Sequence, residues 1–273
     1  MAEILVTGAT GTTGSRLGVV LAERGVPTRL ATRNPTSGRH VRFDWADPDT
    51  HADALRGVTA IYLIAPIGVA DPVPLVEPFL NEARRQGIRR VVALSSSALP
   101  EGALGLGAIH HLVRTTMPEW TVLRPSWFMQ NFTGDHLVAH GVRSGEIVTA
   151  TGTGRVAFID AADIATVAGH ALMDKNPHNA EHILTGPEAL SYADAAAILT
   201  QQTGRVITHR SCSVDEAAGR ITAQGVPDDF ARQLAALDLA ISGGAEDRVT
   251  DTVRVVTGRP ARSFRTFAAA EVR

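Results

Sequence analysis

"VTGATGTTGSRL", residues 6–17, decides how this chain is read: Gly8, Gly11 and Gly14 fall three residues apart, directly after a short apolar run and ahead of a helical pattern. A glycine repeat alone says little. Set between a strand and a helix near the start of a chain, it predicts a tight turn whose backbone approaches a ligand closely. Helix N–H groups and the helix dipole then face a pyrophosphate. The run "ILVT" (4–7) reads as the first strand, and Leu17, Val20 and Leu21 share one face of the helix that follows.

Outward from this turn the alternation continues. Strand-like "TRLAT" (28–32), "VRF" (41–43), "AIYLIA" (60–65), "RVVALS" (90–95) and "WTVLR" (120–124) are separated by helical stretches, one of them over 73–86. Strands alternating with helices predict an α/β fold, a doubly wound parallel sheet of the Rossmann type with helices on both faces.

After about residue 125 the pattern turns irregular. "RVAFI" (155–159) reads as a strand, Asp160 as the N-cap of a helix with Asp163 in its first turn, and "HILT" (182–185) as a further strand. The remainder is mostly helical, with Tyr192, Ala195, Ala196 and Leu199 on one face and Phe230, Leu234, Leu237 and Ile241 on another. The expected organisation is a dinucleotide-binding domain over 1–130, with 155–186 returning to it. A small, mostly helical substrate lobe spans 187–273, with 131–154 contributing.

Composition narrows the function. Apolar residues make up 44% of the 273 and charged residues 20%, the balance of a globular protein. A net charge of -2 offers no basic footprint for nucleic acid, and the single cysteine, Cys212, forbids an internal disulfide and reads as an inert thiol. The longest apolar stretch, "GVTAIYLIAPIGVA" (57–70), is too short to span a bilayer, and the start of the chain lacks a signal-peptide pattern, so no membrane partner and a cytoplasmic location are expected. Oligomeric state is left open. No histidine or cysteine spacing suits a metal.

The end of the second strand selects between the two dinucleotides. An acidic residue there would accept hydrogen bonds from the ribose 2′-hydroxyl, but "RLATRNP" (29–35) has none, and Arg33 stands ready for a 2′-phosphate, which favours NADP(H). Asp44, after the third strand, is a candidate acceptor for the adenine amino group with Trp45 beside the ring; an ordinary turn aspartate is an equal alternative. Ala65 and Pro66 end the fourth strand with side chains small enough for backbone to approach the nicotinamide. Ser95 and Ser96, in "SSS" (95–97), bring hydroxyls to the nicotinamide ribose or the substrate. In "RPSWFMQNF" (124–132), Trp127, Phe128, Met129 and Phe132 supply an apolar surface suited to a flat hydrophobic substrate, aromatic or polycyclic. Asn131 is placed to orient a polar substituent.

"TGATGTTG", "TRNP", "FDW", "LRPSWFMQNF" and "FIDAADIA", together with the terminal "TGRPARSFRTFAA", resemble the NmrA-like branch of the atypical short-chain dehydrogenase/reductases, nearest its ergot-alkaloid-type reductases and NAD(P)H quinone oxidoreductases. The resemblance implies NADP(H) at Thr10, Gly11, Thr12, Thr13 and Arg33 and a substrate pocket near Trp127, Phe128 and Asn131.

Typical members of the wider superfamily protonate a carbonyl with a Tyr-x-x-x-Lys pair. Here the tyrosines are Tyr62 and Tyr192 and the sole lysine is Lys175, so that pair is absent. In the corresponding helix, "GALGLGAIHHLVRTT" (102–116) has glycines that are expected to leave room, and His111 as a candidate acid. Hydride delivered to an iminium gives a neutral amine, and a quinone gives a stabilised hydroquinone anion; a ketone would give a strongly basic alkoxide. The expected function is therefore NADP(H)-dependent reduction of an electron-poor acceptor, a quinone or cyclic imine or iminium. The alternative is a non-catalytic NADP(H)-binding redox sensor acting through a protein partner.

Overall fold

A computed structural model describes residues 3–272, which divide into two compact units, one running to Pro125 with Ala161–Ile183, the other comprising Ser126–Asp160 and the chain from Leu184. The first unit alternates as expected: β1 (Glu3–Val6), α1 (Thr12–Glu23), β2 (Thr28–Thr32), β3 (His40–Arg42), α2 (Asp49–Leu55), β4 (Val58–Ile64), α3 (Val73–Arg85), β5 (Arg90–Leu94), α4 (Leu106–Thr116) and β6 (Glu119–Pro125). The second unit contributes α5 (Leu137–Ser144), β7 (Glu146–Thr149) and β8 (Arg155–Val156). The chain then supplies α6 (Ala161–Met173) and β9 (Ala180–Leu184) to the first sheet.

Seven strands stand in the order β3-β2-β1-β4-β5-β6-β9, and every pairing from β3 through β6 is parallel. This is a Rossmann order, whose reversal point lies between β1 and β4. Alternation along the strands sends Leu5, Ile61, Leu63, Val91 and Val122 into one core with Val76, Phe79 and Leu80 of α3 and Ile109 and Val113 of α4. On the other side α1 packs against α6 so closely that a Cβ at Gly169 would lie 2.9 Å from Val20.

Beside β9, His182 Nε2 lies 2.8 Å from His178 Nδ1, and His178 Nε2 lies 3.1 Å from Asp174. Burial, and then the charge of His178, pushes the His182 pKa down to about 4. An unfolded histidine titrates near 6.5. Stability from the neutral ring is therefore full above about pH 6.5 and is lost as pH falls toward 4, because only the unfolded chain takes up the proton. Partial exposure limits the effect to ~1–2 kcal/mol. A His182→Gln variant is expected to show a flatter fall of Tm across that window; an unchanged profile would contradict the assignment.

In the second unit, after β9 come β10 (Leu190–Ser191), α7 (Tyr192–Thr203), β11 (Thr208–Ser211), α8 (Val214–Thr222), α9 (Asp228–Ser242), α10 (Thr252–Thr257) and α11 (Phe264–Glu271). Its core joins Met129, Phe132, Phe158, Tyr192, Leu199, Phe264 and Phe267. Tyr192, Ala195, Ala196 and Leu199 of α7 are all buried, as their spacing predicts.

Three expectations shift. The domain boundary falls at Pro125 rather than 130, because Ser126 N–H donates to Leu184 and Met129 N–H to Ile159, both within the second unit. Of "RVAFI" only Arg155–Val156 forms a strand, since Ala157 and Ile159 bond instead to Gly186, Trp127 and Met129. On α9 the buried face is Ala231, Ala235 and Ile241, with Phe230, Leu234 and Leu237 half-buried at its flank. Alanines at 217, 218 and 235 let α8 and α9 approach closely.

Candidate functional site

The glycine turn sits at the sheet's reversal point. Thr7, buried, donates its hydroxyl to the Tyr62 carbonyl at 3.1 Å and accepts from the Ile64 N–H at 2.7 Å, tying the ends of β1 and β4 together. Gly8 adopts φ +60°, and Gly11 N–H donates to its carbonyl at 2.9 Å. A Cβ at Gly14 would run into the Gly8 carbonyl oxygen and lie 2.9 Å from its carbon, so the first turn of α1 closes on the loop only with glycine there.

Gly11 caps α1 without a side-chain bond, and no acidic residue occupies the first turn. The uncapped N–H groups and the positive end of the helix dipole are thus left for an anion. Thr10, Gly11 and Thr12 are exposed, whereas Thr13 is buried with its hydroxyl accepting from the Tyr62 hydroxyl at 3.1 Å, which leaves its backbone as its outward group. A dinucleotide pyrophosphate fits this cradle.

Arg33 lies just past β2, exposed, with no hydrogen bond or ion pair among the described residues. Arg29 on the same strand is by contrast consumed by Glu3 and three carbonyls of residues 53, 54 and 56. Asp44 accepts from Ala46 N–H at 3.0 Å and so closes a turn, and Trp45 stands edge-on to Phe43 and Phe79 at the core's border. Ala65 is buried and Pro66 half-buried where the chain leaves β4.

The serine loop after β5 is held by a residue whose role the sequence reading missed. Arg124, buried at the end of β6, donates to the carbonyls of Ser96 (3.3 Å) and Ser97 (3.1 Å) and pairs with Glu181 at 2.8 Å. Ser95 is buried, its hydroxyl 3.4 Å from the Leu106 carbonyl, while Ser96 is half-buried and accepts from Ala98 N–H.

On α4 the two histidines part. His110 is buried, 3.8 Å from Glu181, and burial lowers its pKa. His111 is 56% exposed at its side chain and lies 2.9 Å from Glu101, which also accepts from Arg114. The glycines before them leave no room at position 107: a Cβ there would strike the Pro100 carbonyl oxygen and lie 2.8 Å from Ala103. At Gly107 the expected room is instead filled by the 100–103 turn, whose Gly102 N–H donates to the Gly107 carbonyl, whereas a Cβ at Gly102 would meet nothing within 4 Å.

In the second unit Trp127 and Phe128 are half-buried, Trp127 against the aromatic core and Phe128 bridging to Ile159. Met129 and Phe132 are wholly core. Asn131 is half-buried, and its side-chain amide has no hydrogen-bond partner among the described residues.

Neither tyrosine is available as an acid. Both are buried, and burial raises both hydroxyl pKa values far above the usual range, with the charge of Asp238 adding to the rise at Tyr192. Among the described residues no group of three or more metal-ligating side chains gathers, and no helix is long and apolar enough to cross a membrane.

Comparison with known proteins agrees with this geometry. An NAD(P)H-binding family model matches residues 8–175. The chain is 49% identical to an uncharacterized oxidoreductase, YesF, of Bacillus subtilis (98% of this chain, 94% of that one). It is 37% identical to the agroclavine dehydrogenase of Claviceps fusiformis (97% and 95%). In fold it is similar to the NADPH-dependent quinone oxidoreductase QOR2 of Escherichia coli, crystallised with NADPH, at a TM-score of 0.82, 24% identity and 98% and 99% coverage. The chain belongs to the NAD(P)H-binding oxidoreductase family.

Proposed function

We propose that this protein is an NADP(H)-dependent reductase of electron-poor acceptors, a quinone or a cyclic imine or iminium, working without a tyrosine–lysine pair. One observation carries the reading: a complete dinucleotide cradle at Gly8, Gly11 and Gly14 stands in a chain whose two tyrosines are both core residues. Relatives named for agroclavine and for quinone support the same class of acceptor.

Bound in the cradle, reduced nicotinamide supplies the hydride. The residues do the rest. Backbone N–H groups at Thr12 and Thr13 hold the pyrophosphate, Arg33 the 2′-phosphate, and Asp44 and Trp45 the adenine side. Ala65 and Pro66 let backbone approach the nicotinamide, and the Ser95 and Ser96 hydroxyls, in a loop anchored by Arg124, orient ribose or acceptor. His111 is an auxiliary proton donor.

The test is steady-state NADPH oxidation with a quinone, a cyclic iminium and a simple ketone. Turnover is expected with the quinone or the iminium and not with the ketone. Ketone reduction at a comparable rate would contradict the account, since protonating the nascent alkoxide calls for a positioned donor such as the tyrosine–lysine pair that is absent from this sequence. His111→Ala is expected to lower kcat by less than about threefold, whereas loss of an essential general acid costs about a hundredfold or more. Tight NADPH binding with no turnover across the panel would instead favour a dinucleotide sensor.

A further inference from the structure

One carboxylate oxygen in the first unit, Glu181 Oε2 on β9, lies between an arginine that holds it and a histidine that does not. Arg124 Nη1 donates to it at 2.8 Å, while His110 Nδ1 stands 3.8 Å away, too far for a hydrogen bond. The His110 side chain is 1% exposed, and its Nδ1 has no hydrogen-bond partner among the described residues. A buried ring nitrogen left in this way costs free energy, which protonation and a small approach of the carboxylate recover as a charge-assisted bond.

The charges that face the ring are Glu181, Arg124 on β6, Arg114 on α4 and Glu101 in the 100–103 turn. Glu101 is already engaged by Arg114 at 2.6 Å and His111 at 2.9 Å, so Glu181, 45% exposed at its side chain, is the carboxylate with room to respond. Burial outweighs both carboxylates and lowers the His110 pKa, so the ring is neutral at neutral pH and takes up its proton on the acid side.

Arg124 links this pair to the serine loop. The loop is tied to β6 by Ser95 N–H donating to the Leu123 carbonyl at 2.7 Å and Ser97 N–H to that of Pro125 at 2.9 Å. Ser96 sits between those ties, and its carbonyl accepts from Arg124 Nε at 3.3 Å, while Nη2 donates to the Ser97 carbonyl at 3.1 Å. A planar guanidinium engaged on three sides cannot follow Glu181 without tilting away from the serine carbonyls.

We propose that His110 is a positioning residue for Ser96, acting through Glu181 and Arg124. The neutral ring leaves Glu181 to Arg124 and keeps the loop in place; the protonated ring draws Glu181 Oε2 toward α4, tilts the guanidinium and turns Ser96 out of position. For its use the inference rests on the preceding reading, in which the serine hydroxyls orient ribose or acceptor, but the coupling itself is tested without turnover.

The experiment is a pH titration of the full chain by NMR, following the His110 ring protons and the Ser96 backbone amide. In the parent, the Ser96 amide is expected to shift with the same midpoint as His110, on the acid side of the ordinary histidine range. Glu181→Gln keeps an oxygen for Arg124 but no charge for the ring, so His110 is expected still to titrate while Ser96 no longer follows. Steady-state turnover gives a second reading. As His110 is protonated, kcat with a quinone is expected to fall by about fivefold, the scale of one net hydrogen bond, with NADPH affinity unchanged, and this acid limb is expected to vanish in His110→Gln. The proposal is overturned by a Ser96 amide that does not track His110 in the parent, a measurement that requires no variant to fold. It is equally overturned by one that still tracks it in Glu181→Gln, or by an imidazole that stays neutral until the chain unfolds. Coupled titration without any turnover would count against the reductase reading alone.

Discussion

Gly14→Ala is expected to weaken NADPH binding by about ten- to a hundredfold while leaving the sheet assembled. The added Cβ meets backbone, not a side chain: the Gly8 carbonyl and Ala9 Cα, the latter at 3.0 Å. Backbone at the reversal point cannot swing aside, because Thr7 ties it to both Tyr62 and Ile64. Overpacking of this kind costs ~1–3 kcal/mol, and each 1.4 kcal/mol is a factor of ten in affinity. The strain is relieved by moving the loop off α1, which removes the N–H groups from the pyrophosphate. Gly18→Ala is the control. Its Cβ meets only Leu30 at an ordinary 3.5 Å, so it should bind NADPH normally and gain up to ~1 kcal/mol from helix propensity. Titration of NADPH fluorescence, with Tm recorded for each variant, reads both; normal binding by Gly14→Ala would contradict the cradle.

Arg33→Ala is expected to lower NADPH affinity by about tenfold and NADH affinity by less than about twofold. A hydrogen bond to a charged group is worth ~1.5–3 kcal/mol, and exposure of Arg33 places it at the lower end. The effect should shrink with added salt. Equal affinities for the two dinucleotides in the parent, or equal losses in the variant, would remove Arg33 from the phosphate site.

What the sequence made legible followed from strong local signals. Glycines at 8, 11 and 14 between a strand and a helix, and apolar runs spaced by amphipathic helices, led directly to the doubly wound parallel sheet. Features that depend on distant partners were not legible. The parallel pair β7 and β11 went unseen because "THRS" (208–211) is short, polar and mostly exposed, and gains strand character only from its pairing with residues 146–149. The α9 face was misjudged by following large side chains where alanines set the contact. Thr7 and Arg124 look unremarkable in the chain, and each matters through carbonyls on another strand or loop. The glycines before His110 suggested open space, yet Gly107 is small because the chain doubles back onto it.

The central claim is that this chain still transfers hydride, rather than only binding the dinucleotide. Single-turnover mixing of NADPH-loaded protein with a quinone and with a cyclic iminium, repeated with NADPH deuterated at the transferring position, tests it most directly. The account predicts that bound NADPH is oxidised by one or both acceptors and that deuterium slows the step. NADPH that binds tightly yet stays reduced with every acceptor would contradict it.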